Sequence, residues 1–178
     1  AKVAVSTTMK MESAATENHA NHNSHSDSTA IKPPVDTKLK VVFDTYFLLK
    51  DALVKTDAKA AASAAKDALT ALNAVRMGEL AMDVHLVWMK EMSGLMAGAK
   101  SISETQDIKR QREFFISFSK SMYELIKVSK YETPVYLQFC PMANGGKGAN
   151  WLSKENVIKN PYYGSQMMTC GKTIETIQ

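Results

Sequence analysis

Apolar residues recur at helical spacing from about residue 36 to residue 130, and turn signals divide this pattern into four segments. The first stripe runs through residues 39–53 at i, i+3 and i+4 positions. Thr56 and Asp57 then supply a break and an N-cap signal for a second, alanine-rich helix over residues 58–75. Its small side chains would let a neighbouring helix approach closely, and Gly78 marks its end.

The third and fourth segments predict helices over roughly residues 79–95 and 107–130. Along one side of the third helix, side chains with sulfur or nitrogen donors recur at steps of three and four residues and form a seam: Met82, His85, Met89, Met92 and Met96. A seam of this kind forms either part of a core or a set of metal ligands, and the spacing leaves both interpretations open. Four helices with short connections predict an antiparallel four-helix bundle.

The pattern changes at Pro134 to short β-forming runs and irregular segments. Residues 135–139 alternate and read as a strand, followed by a Gly/Asn loop and a helical turn near Trp151. The segments 167–170 and 172–177 are candidates for a partner strand. An antiparallel pairing would bring Cys140 and Cys170 together.

These elements predict a mainly α fold: an antiparallel four-helix bundle with a C-terminal irregular/β-hairpin cap. Residues 1–35 are polar and are predicted to be a disordered tail, whereas residues 36–178 are predicted to form a single domain. The tail carries His19, His22 and His25, which fit either weak metal binding or a solvated linker.

Composition and motifs exclude several classes of function. The net charge is only +4 over 178 residues, and no basic run is interleaved with aromatics, so we expect no nucleic-acid partner. No apolar stretch is long enough to span a bilayer. The segment 145–148 lacks the spacing of a phosphate loop, and no metalloprotease motif or nucleophile elbow occurs, so we expect no enzyme. The chain begins at Ala1, which we interpret as a mature exported protein whose signal was removed.

The sulfur-bearing side chains suggest a site for a soft metal. Cys140 and Met142 flank a proline, and Met167 and Cys170 lie near each other about thirty positions later. On the third helix His85 and Met89 are one turn apart. Thiolates and thioethers prefer Cu(I), and imidazole also suits copper. A Cys140–Cys170 disulfide is the structural alternative, because it would close the loop without any metal.

Several segments resemble a bacterial family of unknown function, whose domains occur alone in exported proteins or fused to periplasmic adaptors of heavy-metal efflux pumps. The resemblance is carried by residues 46–54, 85–89, 111–115 with Ser119, 135–143, 148–153, 160–164 and 167–171. It implies an envelope protein connected with copper handling. The family's candidate ligands map onto six residues of this chain: His85, Met89, Cys140, Met142, Met167 and Cys170.

The sequence therefore predicts a periplasmic or outer-membrane-anchored metal-binding protein, with any lipid anchor lost from this chain. Its expected role is a Cu(I) carrier or buffer that passes metal to an efflux adaptor, with helix three completing a site around the two cysteines. The alternative is a metal-free structural or docking module for such an adaptor, closed by the Cys140–Cys170 disulfide.

Overall fold

The structure, a computed structural model, describes residues 37–178, and the tail predicted for residues 1–35 lies outside this range. The helices are α1 (Lys40–Val54), α2 (Ala58–Ala74), α3 (Met82–Ser103) and α4 (Ile108–Ser129). The strands are β1 (Val135–Cys140), β2 (Ala149–Ser153) and β3 (Lys172–Ile177). Short 3-10 turns lie at Thr37–Leu39, Met77–Glu79 and Gly164–Gln166. The prediction of a mainly α protein with four helices and a C-terminal β segment is confirmed.

Two aspartates fix helix starts at the predicted positions. The Asp57 carboxylate accepts a hydrogen bond from the backbone N–H of Ala60 at 2.9 Å and caps α2. The Asp107 carboxylate accepts from the backbone N–H groups of Lys109 and Arg110 and caps α4. Each cap satisfies N–H donors that the first helical turn leaves unpaired.

Consecutive helices pack against one another, and α1 also contacts α4. Small buried residues on α2, among them Ala61, Ala65 and Ala68, let its neighbours come close. On α1, Tyr46 stacks on Phe115 of α4 with ring centroids 5.4 Å apart. This contact lies in one hydrophobic core that joins the helices to the C-terminal strands.

The predicted end of the third helix near residue 95 is wrong, because α3 continues to Ser103. Gly94 and Gly98, which resemble helix-ending residues in the sequence, lie where α3 meets α4. A Cβ atom at Gly98 would be 3.0 Å from the Cβ of Phe118, and one at Gly94 would be 3.1 Å from Ser121 Oγ. The glycines therefore allow a close helix crossing. Since position 94 meets 121 and position 98 meets 118, α3 and α4 run antiparallel there.

The C-terminal strands form one antiparallel sheet in the order β2-β1-β3, with β1 in the centre. The predicted partner strand is confirmed for residues 172–177. The helical turn expected near Trp151 is wrong, since Trp151 lies in β2 opposite Gln138. The sheet packs on α4 through β2. In the described part of the chain, no helix combines the length and apolarity that crossing a bilayer requires.

Candidate metal centre

The two cysteines meet at the end of the central strand. The sulfur atoms of Cys140 and Cys170 are 3.1 Å apart, and both residues are free cysteines. Cys140 is fully buried, whereas Cys170 is half-buried. The pair can therefore be reached from the Cys170 side only.

Sheet register explains why these residues converge. Phe139 pairs with Lys172, so the next residue of β1, Cys140, lies opposite the segment that leads into β3. Gly171 in that segment has φ of +140°, and a Cβ there would lie 2.8 Å from the Phe139 carbonyl oxygen. Only glycine accepts both this backbone angle and this close approach. The two sulfurs are thus positioned by a strand and by a tightly packed turn.

Asn160 holds the turn that carries Cys170. Its side-chain amide donates to the Cys170 carbonyl at 2.8 Å, and its carbonyl oxygen accepts from the backbone N–H groups of Tyr162 and Tyr163. Its own backbone N–H donates to the Met168 carbonyl at 2.9 Å. Asn160 is fully buried. One side chain therefore fixes both arms of the loop that precedes β3.

Two buried phenols, one on α1 and one in the loop before β3, support the site. The Tyr46 hydroxyl lies 2.6 Å from Ser119 Oγ and accepts from the backbone N–H of Leu152. The Tyr162 hydroxyl donates to the Asn150 carbonyl of β2. Burial raises the pKa of Tyr46 and of Tyr162 above the ordinary tyrosine value, so both phenols stay protonated. Both hydroxyls tie β2 to the rest of the core.

The pKa of the Cys170 thiol is raised, first by its hydrogen bond with Cys140 and then by burial. The backbone N–H of Met142 hydrogen-bonds the Cys170 sulfur and acts in the opposite direction. The Cys170 thiol therefore holds its proton at neutral pH. A metal ion that binds to this sulfur must displace that proton.

Met142 and Met167 lie on the same two segments as the thiols. The side chain of Met142 is 53% exposed, and the Tyr163 hydroxyl donates to its carbonyl at 2.7 Å. Met167 is half-buried, and its carbonyl accepts from the backbone N–H of Cys170 at 3.1 Å. The structure therefore brings four of the six predicted ligands into one region.

His85 and Met89 lie elsewhere. Both are in the first half of α3. This helix runs antiparallel to α4, with Gly98 against Phe118. His85 precedes Gly98 by thirteen positions, a rise of about 20 Å toward the C-terminal end of α4. The cysteine region lies beside the first half of α4, where Arg112 Nε donates to the Pro161 carbonyl. The expectation that helix three completes the cysteine site does not fit this arrangement.

Among the described residues, no three or more His, Cys, Asp or Glu side chains are grouped so that they could hold a metal ion. A centre at the cysteines would therefore consist of two thiolates, with thioethers as the further donors. Such a donor set favours Cu(I) over hard cations.

Sequence reasoning missed Asn160 as the residue that builds the loop, and it missed the Tyr162 hydroxyl as a link to β2. The Asn-Pro-Tyr-Tyr-Gly segment did contain a signal, because an asparagine before proline favours turn initiation. Nothing in the sequence indicated that one buried amide would bind both arms of the loop.

The protein is thus a four-helix domain with a dithiol at the end of the central strand of a small sheet, and one known family matches the part of the chain that holds the helices. The family described as "Protein of unknown function (DUF3347)" matches residues 42–133, about half of the chain, and the protein belongs to this family. The match spans the four helices, including His85 and Met89, and ends before β1 and both cysteines. The chain matches no curated protein and no solved structure.

Proposed function

We propose that this protein binds Cu(I) at Cys140 and Cys170 and acts as a carrier or buffer rather than as an enzyme. The observation that supports this most is the pair of free thiols 3.1 Å apart, one buried and one half-buried. Cys140 at the end of β1 and Cys170 in the turn before β3 need little movement to bind a single ion. A cleft around reacting groups is not required for this role.

Met142 and Met167 are the proposed thioether ligands. Met142 is exposed beside the accessible side of the pair, and its backbone already contacts the Cys170 sulfur. Methionine side chains are flexible enough to reach a neighbouring ion. An exposed thioether also offers a route by which copper leaves the buried thiols for another protein.

The cellular setting is part of the same proposal and rests on the resemblance described above. We infer an envelope protein, periplasmic or anchored to the outer membrane, that passes Cu(I) to the adaptor of a heavy-metal efflux pump. The helices serve as an antiparallel four-helix bundle that supports the sheet.

The same short distance supports a second candidate function. A small movement of either side chain would allow a Cys140–Cys170 disulfide, which would remove both thiolates and leave a docking module without metal. Counting the free thiols of protein isolated from its native compartment distinguishes the two functions. Two free thiols support the copper carrier, and none supports the docking module.

The binding test is an anaerobic titration of the reduced full-length chain with Cu(I) under a competing chelator. All variants carry His19, His22 and His25 as glutamine, so that tail imidazoles do not contribute. We expect one tight equivalent, weakened at least about 100-fold in Cys140→Ser and in Cys170→Ser, since loss of a ligand should exceed the 10–100-fold effect of losing a supporting residue.

Thr169→Ala is the matched control, because it removes a side-chain oxygen from an exposed residue next to Cys170. It should bind Cu(I) like the parent protein. Cys170 is less buried than Cys140, so Cys170→Ser still tests the site if the other variant unfolds. Equal affinity of the parent and Cys170→Ser proteins would refute the proposed function.

A further inference from the structure

Helix α3 exposes an unusual face. Met82 is 74% exposed, Leu86 64% and Met89 51%, whereas Val84 and Trp88 on the opposite face are buried. Two large thioether side chains in water are not explained by core packing, which was one interpretation of the methionine seam. They lie on either side of His85, three residues before it and four residues after it.

The His85 ring is already oriented for binding a ligand. Its Nδ1 lies 2.8 Å from the carbonyl oxygen of Met77 in the preceding 3-10 turn. A carbonyl oxygen only accepts hydrogen bonds, so Nδ1 carries a proton and Nε2 is the ring nitrogen left to bind a metal ion. Metal-binding histidines commonly use a backbone carbonyl in this way to fix the tautomer and the ring orientation.

We propose that this face of α3 is a second Cu(I) site, formed by Nε2 of His85 and the thioether sulfurs of Met82 and Met89. Residues three and four apart on a helix have Cβ atoms about 5–6 Å apart, so flexible methionines can meet above the ring. The two thioether sulfurs are soft ligands and imidazole also suits copper, so this donor set favours Cu(I) over hard divalent cations.

This site is independent of the cysteine pair. About 20 Å of helix separates His85 from Gly98, which packs against Phe118, and the cysteine region lies beside the first half of α4. One ion therefore cannot use both sets of ligands. Because imidazole and thioethers replace thiolates, the α3 site should bind Cu(I) more weakly and exchange it faster than the dithiol.

The test uses Ag(I), a redox-stable soft monovalent ion, and the full-length chain with 13C-labelled methionine methyl groups. The methyl signals are followed by NMR as Ag(I) is added, with chelated Cu(I) as a second probe. We expect the Met82 and Met89 methyl signals and the His85 ring proton to shift along one common binding curve. Met122, which is fully buried on α4, should not respond.

Two variants separate ligation from simple exposure of the face. His85→Gln removes the nitrogen donor and should lower the affinity given by the common binding curve about tenfold or more. Loss of a ligand should have at least the effect of losing a residue that supports a ligand. Leu86→Ala removes a neighbouring exposed apolar side chain and keeps every donor, so the curve should not change. Failure of Met82 and Met89 to shift, or equal weakening by both variants, overturns the proposal. If the cysteine site is the one that does not bind the ion, the methyl signals of Met142 and Met167 will not shift.

Discussion

The dithiol region and the exposed face of α3 carry donors of similar chemistry, but the rest of the molecule constrains them very differently. Cys140 and Cys170 are 30 positions apart and meet only because β1 and β3 pair and Asn160 holds the turn. His85 and its two methionines lie within one helix, and a single local hydrogen bond orients the ring. Long-range contacts therefore assemble the dithiol, whereas helical periodicity and one local hydrogen bond place the donors on α3.

This difference predicts that a substitution in the loop before β3 will weaken Cu(I) binding at the dithiol and leave binding at the α3 face unchanged. Asn160→Ala leaves the Cys170 carbonyl and the N–H groups of Tyr162 and Tyr163 without their partner. Unsatisfied buried groups cost about 1–3 kcal/mol each, so we expect a loss of about 3–4 kcal/mol in the free energy of unfolding. Urea denaturation measures this change.

Cu(I) binding by the Asn160→Ala variant distinguishes the dithiol from the α3 face. Tight binding at the dithiol should fall, whereas the α3 methyl shifts should persist wherever the helices remain folded. Asn150→Ala is the control, because that asparagine side chain is exposed in β2. Unchanged stability in Asn160→Ala would contradict the role given to this amide.

A second prediction concerns which face of α3 points inward. Gly98→Leu pushes a side chain against the buried Phe118 and should cost about 2–3 kcal/mol of stability through overpacking. Ala97→Leu adds the same side chain at the adjacent, exposed position and should change stability by less than about 0.5 kcal/mol. Thermal unfolding of the two variants compares them directly, and equal effects would mean that the face assignment is wrong.

A third prediction uses protons to distinguish the sites. The raised pKa of Cys170 keeps its thiol protonated near neutral pH, so Cu(I) binding to the dithiol must release protons. Affinity should therefore rise with pH by up to about tenfold per unit for each proton released, and level off once the pH exceeds the thiol pKa. Chelator competition between about pH 6 and pH 9 measures the slope. Cys170→Ser should reduce it, and an unchanged slope would exclude this thiol as a ligand.

Local signals in the sequence predicted the helices well because caps and breaks act over a few residues. Asp57 and Asp107 each mark a helix start, and both accept the expected backbone hydrogen bonds. The meeting of the two cysteines followed from β propensity and pairing direction. The segment 167–170, offered as a strand, remains irregular because only residues 172–177 pair with β1.

Tertiary packing decided the features that the sequence did not predict. Gly98 resembles a helix end in isolation, yet a neighbouring helix needs its missing side chain. Trp151 lies in a strand because β1 offers it a partner. The seam of α3 has the same period whether it faces the core or the solvent, so only the packed helices could show that Met82 and Met89 face outward.

The central claim is that Cys140 and Cys170 bind one Cu(I) together, and alkylation of thiols tests it most directly. The reduced full-length chain is folded and treated with iodoacetamide, with and without one equivalent of Cu(I), and alkylation of each cysteine is followed by mass spectrometry. A denatured sample treated in the same way is the control that shows whether both thiols can react. In the folded protein, one equivalent of Cu(I) should slow alkylation of the half-buried Cys170 strongly, and Cys140→Ser should abolish this protection. Cys170 alkylation at the same rate with and without Cu(I), with both thiols reactive in the denatured chain, would contradict the account.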